Sequence, residues 1–272
     1  MSSDQGKTVL ITGATGGIGR ELSRLFAEDG YELVVNARHV DDLEELAGEL
    51  EDRFGSSVMI VAQDLSLPSA PEEIAARLRE ASIGIDALVN SAGFGLRGPF
   101  AETDPEVELA MMRVNMVALT RLTRLFLTQM VDRGAGRILN MSSTAAFMPG
   151  PLQAVYYASK AYVLSFSQAI ASELEGTGVT VTAVCPGPTD TQFHRRAGQT
   201  STWLLALLSQ MDPETVARAA YRGMMKGRRV VVPSIQDKLI VFLQRFVPRG
   251  LLTDIVRELH KRRGDGAGGW FE

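Results

Sequence analysis

The stretch Thr12-Gly13-Ala14-Thr15-Gly16-Gly17-Ile18-Gly19 (TGATGGIG) follows a short apolar run at residues 8–12 and opens an amphipathic pattern at residues 18–30. A glycine turn between a strand and a helix lets backbone N–H groups approach a pyrophosphate, which then lies at the positive end of the helix. The glycine spacing fits both GxxxGxG and GxxGxxG, so it leaves the subtype of this turn open. We predict a dinucleotide site formed by Gly13, Thr15, Gly16, Gly17, Ile18 and Gly19.

Short β-branched runs alternate with helical patterns along the rest of the chain. Near-continuous apolar runs are typical of parallel strands that are buried on both faces. Seven strands with helical crossovers predict an α/β fold, a Rossmann-type doubly wound parallel sheet with helices on both faces and a C-terminal helical extension. We expect one domain over residues 1–272. The predicted strands are 8–12, 31–37, 58–63, 86–90, 136–141, 179–185 and 228–233, and predicted helices include 18–30, 40–54 and 105–131.

Composition excludes several classes of function. The 272 residues are 45% hydrophobic and carry a net charge of −4, which argues against a dedicated nucleic-acid binder. A single cysteine, Cys185, suits a reducing compartment and is expected to be an inert core residue. Neither a signal peptide nor a spanning segment is visible, so we expect a cytoplasmic protein. The three histidines lie far apart without ligand spacing, so no metal site is expected.

The end of the second predicted strand bears on the choice of nucleotide. In this fold an acidic residue about twenty positions after the glycines would hold the ribose 2′-OH of NAD. Here the strand ends in Asn36-Ala37-Arg38, and Arg38 suits a 2′-phosphate through a charge-assisted hydrogen bond. We therefore expect NADP(H) to be preferred over NAD(H), unless Arg38 is an ordinary surface arginine. Asp64 and Leu65, after the third strand, are expected at the adenine, although Asp64 is nearly as well explained as a helix cap.

A further set of motifs lies in order along residues 7–191. They are Asn90-Ser91-Ala92-Gly93, Asn115 in RVNMVA, Ser143 in NMSS, YASK ending at Lys160, and PGPTDT at 186–191. With the glycine turn, this set resembles the short-chain dehydrogenase/reductase family. The resemblance implies a nicotinamide cofactor and the catalytic set Asn115, Ser143, Tyr156 and Lys160. It also implies cofactor contacts from Asn90, Ala92, Gly93, Tyr156, Lys160, Pro186, Gly187, Thr189 and Thr191.

Two tyrosines precede the lysine of the motif. The family pattern is Tyr-x-x-x-Lys with a serine thirteen residues before the tyrosine. Tyr156 meets both spacings relative to Ser143 and Lys160, whereas Tyr157 misses each by one. Residues four apart share a helix face, so Tyr156 and Lys160 are expected to face one cleft. Tyr157, rotated by about 100°, is expected to pack or to line the rim.

These residue types suit hydride chemistry on a carbonyl. The carbonyl oxygen gains negative charge and must receive a proton, which a phenol can supply. Lys160, together with an oxidised nicotinamide ring, would favour the phenolate and lower the pKa of Tyr156 from about 10. The resemblance further implies that Ser143 holds the substrate oxygen and that Lys160 binds the nicotinamide ribose. It also implies that Asn115 holds a water that completes a proton relay.

The substrate pocket is expected from the loops 93–100, 144–153 and 188–212, which follow strand ends. The last of these would cover the substrate as a lid. Apolar side chains in these loops favour a bulky hydrophobic carbonyl or alcohol, such as a 3-oxoacyl thioester or a steroid-like ketone. The alternative is that the leucines of the lid only pack onto the core. The apolar residues are Phe94, Phe147, Met148, Leu152, Phe193 and Trp203.

The segment 234–263 extends beyond the last strand, and Pro248-Arg249-Gly250 should divide it into two helices. Its apolar residues and its basic end, Arg257, Lys261, Arg262 and Arg263, leave three interpretations open: a subunit contact, a pocket wall or a membrane-surface helix. Residues 264–272 are expected to be a flexible tail. By the resemblance, a homodimer or homotetramer should form through the helices of Asn115 and Tyr156. The alternative function is a catalytically silent NADP(H) sensor that regulates a protein partner.

Overall fold

The computed structural model describes residues 6–189 and 210–260, and it contains the predicted seven-stranded parallel sheet. The strand order is β3-β2-β1-β4-β5-β6-β7. Strands β2 and β3 therefore lie on one side of β1, and β4 to β7 lie on the other side, so the strand order reverses between β1 and β4. Thr191, Phe193 and Trp203 lie outside the described residues, as do most of the expected lid and the expected tail. The strands are β1 (Thr8–Thr12), β2 (Glu32–Ala37), β3 (Val58–Ala62), β4 (Ala87–Asn90), β5 (Gly136–Met141), β6 (Val179–Val184) and β7 (Val230–Val231).

Helices cover both faces of the sheet. The third predicted helix, 105–131, is one rod with a π-helical turn at Arg113–Ala118 in its middle. The last strand is shorter than the expected 228–233, because only two of its residues pair with β6. The α-helices are α1 (Gly17–Glu28), α2 (Val40–Phe54), α3 (Ala70–Glu80), α4 (Pro105–Met112), α5 (Leu119–Arg133), α6 (Ala154–Glu173), α7 (Pro213–Met225), α8 (Ile235–Leu243) and α9 (Arg249–His260).

The core forms two layers, one on each side of the sheet. Because alternate residues of a strand point to opposite faces, Val9 and Ile11 of β1 enter one layer and Leu10 enters the other. The first layer contains α1, α2 and α7, and the second contains α3 and α5. This double burial explains why the strands have near-continuous apolar sequences rather than alternating ones.

The C-terminal extension consists of two helices, with the break just before and at Pro248 and with Arg249 and Gly250 inside the second helix rather than at the break. A short 3₁₀ turn, Gln244–Phe246, follows α8, and α9 begins at Arg249, directly after Pro248. Among the residues that the structure describes, no helix is long and apolar enough to cross a membrane.

Candidate active site

The glycine turn follows β1 and lies at the point between β1 and β4 where the strand order reverses. Gly13 has a φ of +64°, a conformation that glycine adopts without strain. A Cβ on Gly13 would lie 2.8 Å from Cα of Ala92, and one on Gly19 would lie 2.1 Å from the carbonyl oxygen of Gly13. The glycines therefore let β1, the start of α1 and the loop after β4 meet backbone against backbone.

Thr12 fixes the same junction from the strand side. Its hydroxyl accepts hydrogen bonds from the backbone N–H groups of Ser91 and Ala92, both at 3.2 Å, and donates to the carbonyl of Val89. The Ser91-Ala92-Gly93 loop is thereby held against the glycine turn. Sequence reasoning did not select Thr12, although its place at the end of β1 is the available signal.

The start of α1 fits a bound pyrophosphate. Gly16 is the N-cap and makes no side-chain cap, and the first turn contains no acidic residue. The first N–H groups of a helix have no partner within the helix and carry partial positive charge, so they attract anions. Gly16 and Gly17 are exposed, Thr15 and Ile18 are partly exposed, and Gly19 is buried. The residues present therefore suit the phosphate groups of a dinucleotide.

The residues expected near the adenosine end lie at the carboxyl ends of β2 and β3. Arg38 is exposed directly after β2, whereas Asn36 is buried and donates to the carbonyls of Val61 and Gln63. The Asp64 carboxylate accepts a hydrogen bond from Ser66 N–H at 2.9 Å and so caps a turn. It is not a helix cap, because α3 begins at Ala70 with Ser69 as its N-cap. Leu65 is buried at 6% exposure and packs with the core.

Asn90 has its side chain in the interior of the protein. The side-chain nitrogen donates to Thr123 Oγ1 and to Asn140 Oδ1, and Asn140 in turn donates to Ser167 Oγ. This buried chain of hydrogen bonds joins β4 and β5 to the helices α5 and α6. The side-chain nitrogen of Asn90 thus stabilises the packing of the sheet against these helices, and this fixes the residue from which the Ser91-Ala92-Gly93 loop starts.

Asn115 lies within the π-helical turn and is 1% exposed. Its side chain holds Phe94 on both sides, accepting from Phe94 N–H and donating to Phe94 carbonyl, at 3.1 and 3.0 Å. The same nitrogen donates to Ser159 Oγ, which donates to the carbonyl of Tyr156. A π-helical turn is rare and is frequent at functional sites. Ser159, which sequence reasoning missed although it stands within YASK, links Asn115 to the tyrosine.

Tyr156 and Lys160 lie on one face of α6, as their spacing predicts. The Lys160 ammonium is 5.7 Å from the centre of the Tyr156 ring, and Tyr156 hydrogen-bonds with Ser143. A Cβ on Gly93 would lie 3.0 Å from Asn115 Oδ1 and 3.3 Å from Lys160 Nζ. The structure therefore brings all four residues of the expected catalytic set together beside the Gly93 loop.

Burial shifts the pKa values of both Tyr156 and Lys160 in the protein chain by itself. Burial raises the pKa of the Tyr156 hydroxyl to about 12, and the hydrogen bond with Ser143 opposes that shift. The expected lowering includes the positive charge of an oxidised nicotinamide, so it stays a prediction for the enzyme with its cofactor. In the protein chain by itself burial dominates, and it also lowers the pKa of Lys160 to about 8. The ammonium donates to the carbonyl of Met141 at 3.0 Å, which holds it at the end of β5.

Pro186, Gly187 and Thr189 form the opposite wall after β6. Ser143 Oγ donates to the carbonyl of Pro186, and Thr189 Oγ1 donates to the carbonyl of Gly187. Asp237 of α8 accepts a hydrogen bond from Gly187 N–H at 3.2 Å and is 6% exposed. No pattern in the sequence separates Asp237 from other helix-start aspartates, so sequence reasoning missed this contact.

Tyr157 is buried and fixes the C-terminal helix. Its ring packs edge-on against Tyr156 and His260, as the expectation of a packing role predicts, and its hydroxyl lies 2.9 Å from His260 Nε2. His260 Nδ1 lies 2.9 Å from the carbonyl of Pro151, so Nδ1 is the donor and Nε2 accepts from Tyr157. Arg97 donates to the carbonyl of His260. Separations of 103 and 163 residues explain why sequence reasoning did not find this cluster.

The surroundings of the two tyrosines are apolar. Buried Met111, Ala145 and Val256 pack with them, so both α4 and α9 contribute to the wall of the site. Of the residues expected in the pocket, Phe94 and Met148 pack against this cluster. Phe147 packs in a separate cluster with Leu164 and Cys185, and Leu152 is partly buried. The partly buried residues that complete the wall are Phe94, Leu96, Met148, Val155 and Leu252.

A doubly wound parallel sheet, a glycine turn at its reversal point and a buried Tyr–Lys pair beside it define an oxidoreductase that uses a nicotinamide dinucleotide. The family model described as short chain dehydrogenase matches residues 7–202, and the chain belongs to that family.

Relatives and a solved structure agree with this assignment. A short chain dehydrogenase of Pseudocercospora fijiensis is 35% identical over 192 residues, which cover 70% of this chain and 62% of that protein. A very-long-chain 3-oxoacyl-CoA reductase of Bos taurus is 31% identical over 221 residues, which cover 80% of this chain and 68% of that protein. The structure of a short-chain dehydrogenase from Sphingobium yanoikuyae in complex with NADPH superimposes with a TM-score of 0.78 at 34% identity, covering 88% of this chain and 94% of that one.

Proposed function

We propose that this enzyme is an NADP(H)-dependent carbonyl reductase or alcohol dehydrogenase for bulky hydrophobic substrates. The single observation that carries the proposal is the meeting of Ser143, Tyr156 and Lys160 beside the Gly93 loop, within an apolar wall. The nicotinamide, when bound, supplies or accepts the hydride. The chain's own residues then have to hold the substrate oxygen and to move one proton.

Tyr156 is proposed as the proton donor in carbonyl reduction. With its pKa raised to about 12, the phenol stays protonated near neutral pH and is ready to donate to an oxygen that gains negative charge. Ser143, which already hydrogen-bonds with Tyr156, would hold that oxygen next to the phenol. In the reverse direction the phenol must first lose its proton, which needs additional positive charge near it.

Lys160 and Asn115 are proposed to support the proton transfer. Lys160 is buried, and with a pKa of about 8 its amine remains mostly protonated at neutral pH, so it can stabilise a phenolate and bind a ribose hydroxyl. We also propose that Asn115 holds a water that connects Lys160 to solvent.

NADP(H) is proposed over NAD(H) because Arg38 is exposed where the adenosine ribose of this fold lies. The glycine turn is proposed to contact the phosphates of the cofactor. The residues proposed to contact the rest of the cofactor are Asp64, Leu65, Asn90, Ala92, Gly93, Pro186, Gly187, Thr189 and Thr191. The relative from Bos taurus, named as a very-long-chain 3-oxoacyl-CoA reductase, supports a 3-oxoacyl thioester as one substrate class.

We also propose a homodimer or homotetramer that forms through α4, α5 and α6. These helices expose apolar side chains that a second copy would cover. The exposed side chains are Val107, Leu109, Met112, Val117, Val131 and Tyr162.

A panel of ketones tests the proposed reaction by the loss of absorbance at the NADPH band. The turnover of small polar ketones and of long-chain or polycyclic ketones is measured for wild type, Tyr156→Phe and Tyr157→Phe. We expect the hydrophobic substrates to be reduced faster, and Tyr156→Phe to lower kcat by about 10³-fold with NADPH binding retained. Tyr157→Phe is the matched control and should retain most of the activity.

Two results would contradict the proposal. Equal turnover of small polar and bulky substrates would remove the hydrophobic substrate class. NADPH binding without turnover of any carbonyl would instead support the silent sensor, which also predicts no difference between the two tyrosine variants.

A further inference from the structure

The helix α8 exposes an apolar face. Ile235, Leu239, Phe242 and Phe246 are exposed at 84%, 55%, 53% and 73%, and Leu243 is exposed beside them. With 3.6 residues per turn, spacings of four and seven residues place Ile235, Leu239 and Phe242 on one side of α8. Phe246 lies in the 3₁₀ turn that follows α8, and its ring centre is 5.4 Å from that of Phe242. We call these five residues the α8 apolar face. A surface helix of a globular protein normally turns such a stripe towards the core.

Two buried residues on the opposite side fix the rotation of α8. Asp237 accepts from Gly187 N–H at 3.2 Å and is 6% exposed, and Val241, one turn later, is 8% exposed. Ser234 caps the start of the helix by accepting from Asp237 N–H. Turning the apolar stripe inward would expose Val241 and break the contact between Asp237 and the wall of the active site. The anchored side therefore keeps the apolar face directed outward.

The exposed charged side chains of α8 and of the 3₁₀ turn that follows it are all basic. The chain as a whole is acidic, with a net charge of −4. Between Ile235 and Thr253, however, its exposed charged residues are Lys238, Arg245 and Arg249, because Asp237 is buried. Acidic residues return only with Asp254 and Glu258 in α9. An apolar, aromatic stripe flanked by cations is typical of a helix that lies in the plane of an anionic lipid surface.

We propose that the α8 apolar face docks on the surface of an anionic lipid membrane. Phe242 and Phe246 enter the boundary between headgroups and acyl chains together with Ile235 and Leu239. The ring centres of the two phenylalanines lie 5.4 Å apart. Lys238 and Arg245 meet the lipid phosphates and carboxylates. Because α8 is fixed to Gly187, docking would place the wall of the active site next to the lipid.

A second copy of this chain is a poorer occupant of the same face. In a two-fold contact the same patch meets itself, so the cations of one copy would face those of the other. Like charges brought together in an interface oppose association. An anionic lipid surface has the opposite charge and needs no matching shape.

Vesicle co-sedimentation of the full chain tests this proposal. Vesicles of phosphatidylcholine alone are compared with vesicles that also contain phosphatidylserine, at low and at high salt. We expect wild type to bind the anionic vesicles more strongly, and Phe242→Gln to lower the partition coefficient by about 10-fold. Lys238→Gln with Arg245→Gln should lower binding to anionic vesicles by about 30-fold and leave binding to neutral vesicles unchanged.

Leu67→Gln is the matched control, because Leu67 is exposed at 51%, close to the 53% of Phe242, and lies outside the C-terminal extension. It should bind like wild type, and each variant should keep its thermal midpoint. No binding of wild type to anionic vesicles, or equal binding of Phe242→Gln and Leu67→Gln, would overturn the proposal. So would a lower mass of Phe242→Gln in sedimentation velocity without lipid, which assigns the face to a second copy. A thermal midpoint several degrees lower would assign it to another part of the chain.

Discussion

The two walls of the active site are held together by different kinds of contact. The nucleotide wall, formed by the glycine turn and the loop after β4, is a meeting of backbones, in which a Cβ on Gly13 would lie 2.8 Å from Ala92. The C-terminal wall is held by buried side chains from distant segments, through Asp237 with Gly187 and His260 with Tyr157. One wall therefore depends on the absence of side chains, and the other depends on individual polar pairs.

This difference determines how each wall responds to change. Backbone contacts have almost no freedom to adjust, so one added methyl group disturbs several elements at once. A polar pair can lose one member while the backbone stays in place, but the remaining buried group then lacks its partner. The predictions below use these two modes of failure, beginning with the largest.

Gly19→Ala should be the most damaging substitution. The new Cβ would lie 2.1 Å from the carbonyl oxygen of Gly13, which is backbone and part of the turn. We expect the free energy of unfolding to fall by about 3 kcal/mol and NADPH binding to be lost. Urea denaturation and a cofactor titration measure the two effects.

Gly48→Ala in α2 is the control, because nothing lies within 4 Å of its Cβ. It should stabilise the protein by about 0.5–1 kcal/mol through the better helix propensity of alanine. Similar losses at Gly19 and Gly48 would show that the backbone contact does not govern the nucleotide wall.

His260→Ala should be next in size, since it leaves the buried Tyr157 hydroxyl and the Pro151 carbonyl without their partner. We expect a loss of about 2 kcal/mol in stability. Tyr157→Phe should cause a smaller loss, and the double variant should show coupling of about 1 kcal/mol. Urea denaturation of the four proteins completes the cycle. Additive losses would mean that the two side chains do not act as a pair.

The fold and most of the catalytic set could be predicted from the sequence because their signals are local. Tyr156 and Lys160 are one helical turn apart, and the glycine turn directly joins a strand to a helix. The contacts of His260 and Asp237 could not be predicted, because each depends on how a helix that is distant in sequence packs in the folded protein. The π-helical turn at Asn115 also has no local signal, since the apolar pattern continues through it. The rise in the pKa of Tyr156 in the protein chain by itself also has no local signal, because burial is a property of the folded protein.

Arg38→Gln should affect the nucleotide wall more weakly. Loss of one charge-assisted contact should weaken NADPH binding by about 10-fold and leave NADH binding almost unchanged. Fluorescence titrations with both nucleotides measure this ratio. Arg53→Gln, at the other end of α2, makes the same change in net charge and should alter neither affinity. Equal weakening by both variants would reduce Arg38 to a general electrostatic role.

The smallest effect is a dependence of stability on pH that comes from His260. Burial lowers the pKa of its imidazole, with Arg97 adding to the shift and the contact with Pro151 opposing it. The unfolded chain therefore takes up a proton below about pH 6.5 that the folded chain refuses, so stability falls as pH decreases through that window. Asp237, whose pKa is raised by burial, has the opposite sign and contributes at lower pH.

Comparison of wild type with His260→Gln isolates this effect, because the contribution of Asp237 is common to both proteins. Urea midpoints at about pH 7.5 and 5.5, on either side of the ordinary histidine pKa, should fall further for wild type than for the variant. Gln has no proton to gain in this range, yet it can still donate to Pro151 and accept from Tyr157. Equal slopes would mean that His260 is protonated in the folded protein, which would require Tyr157 to accept its hydrogen bond rather than donate one.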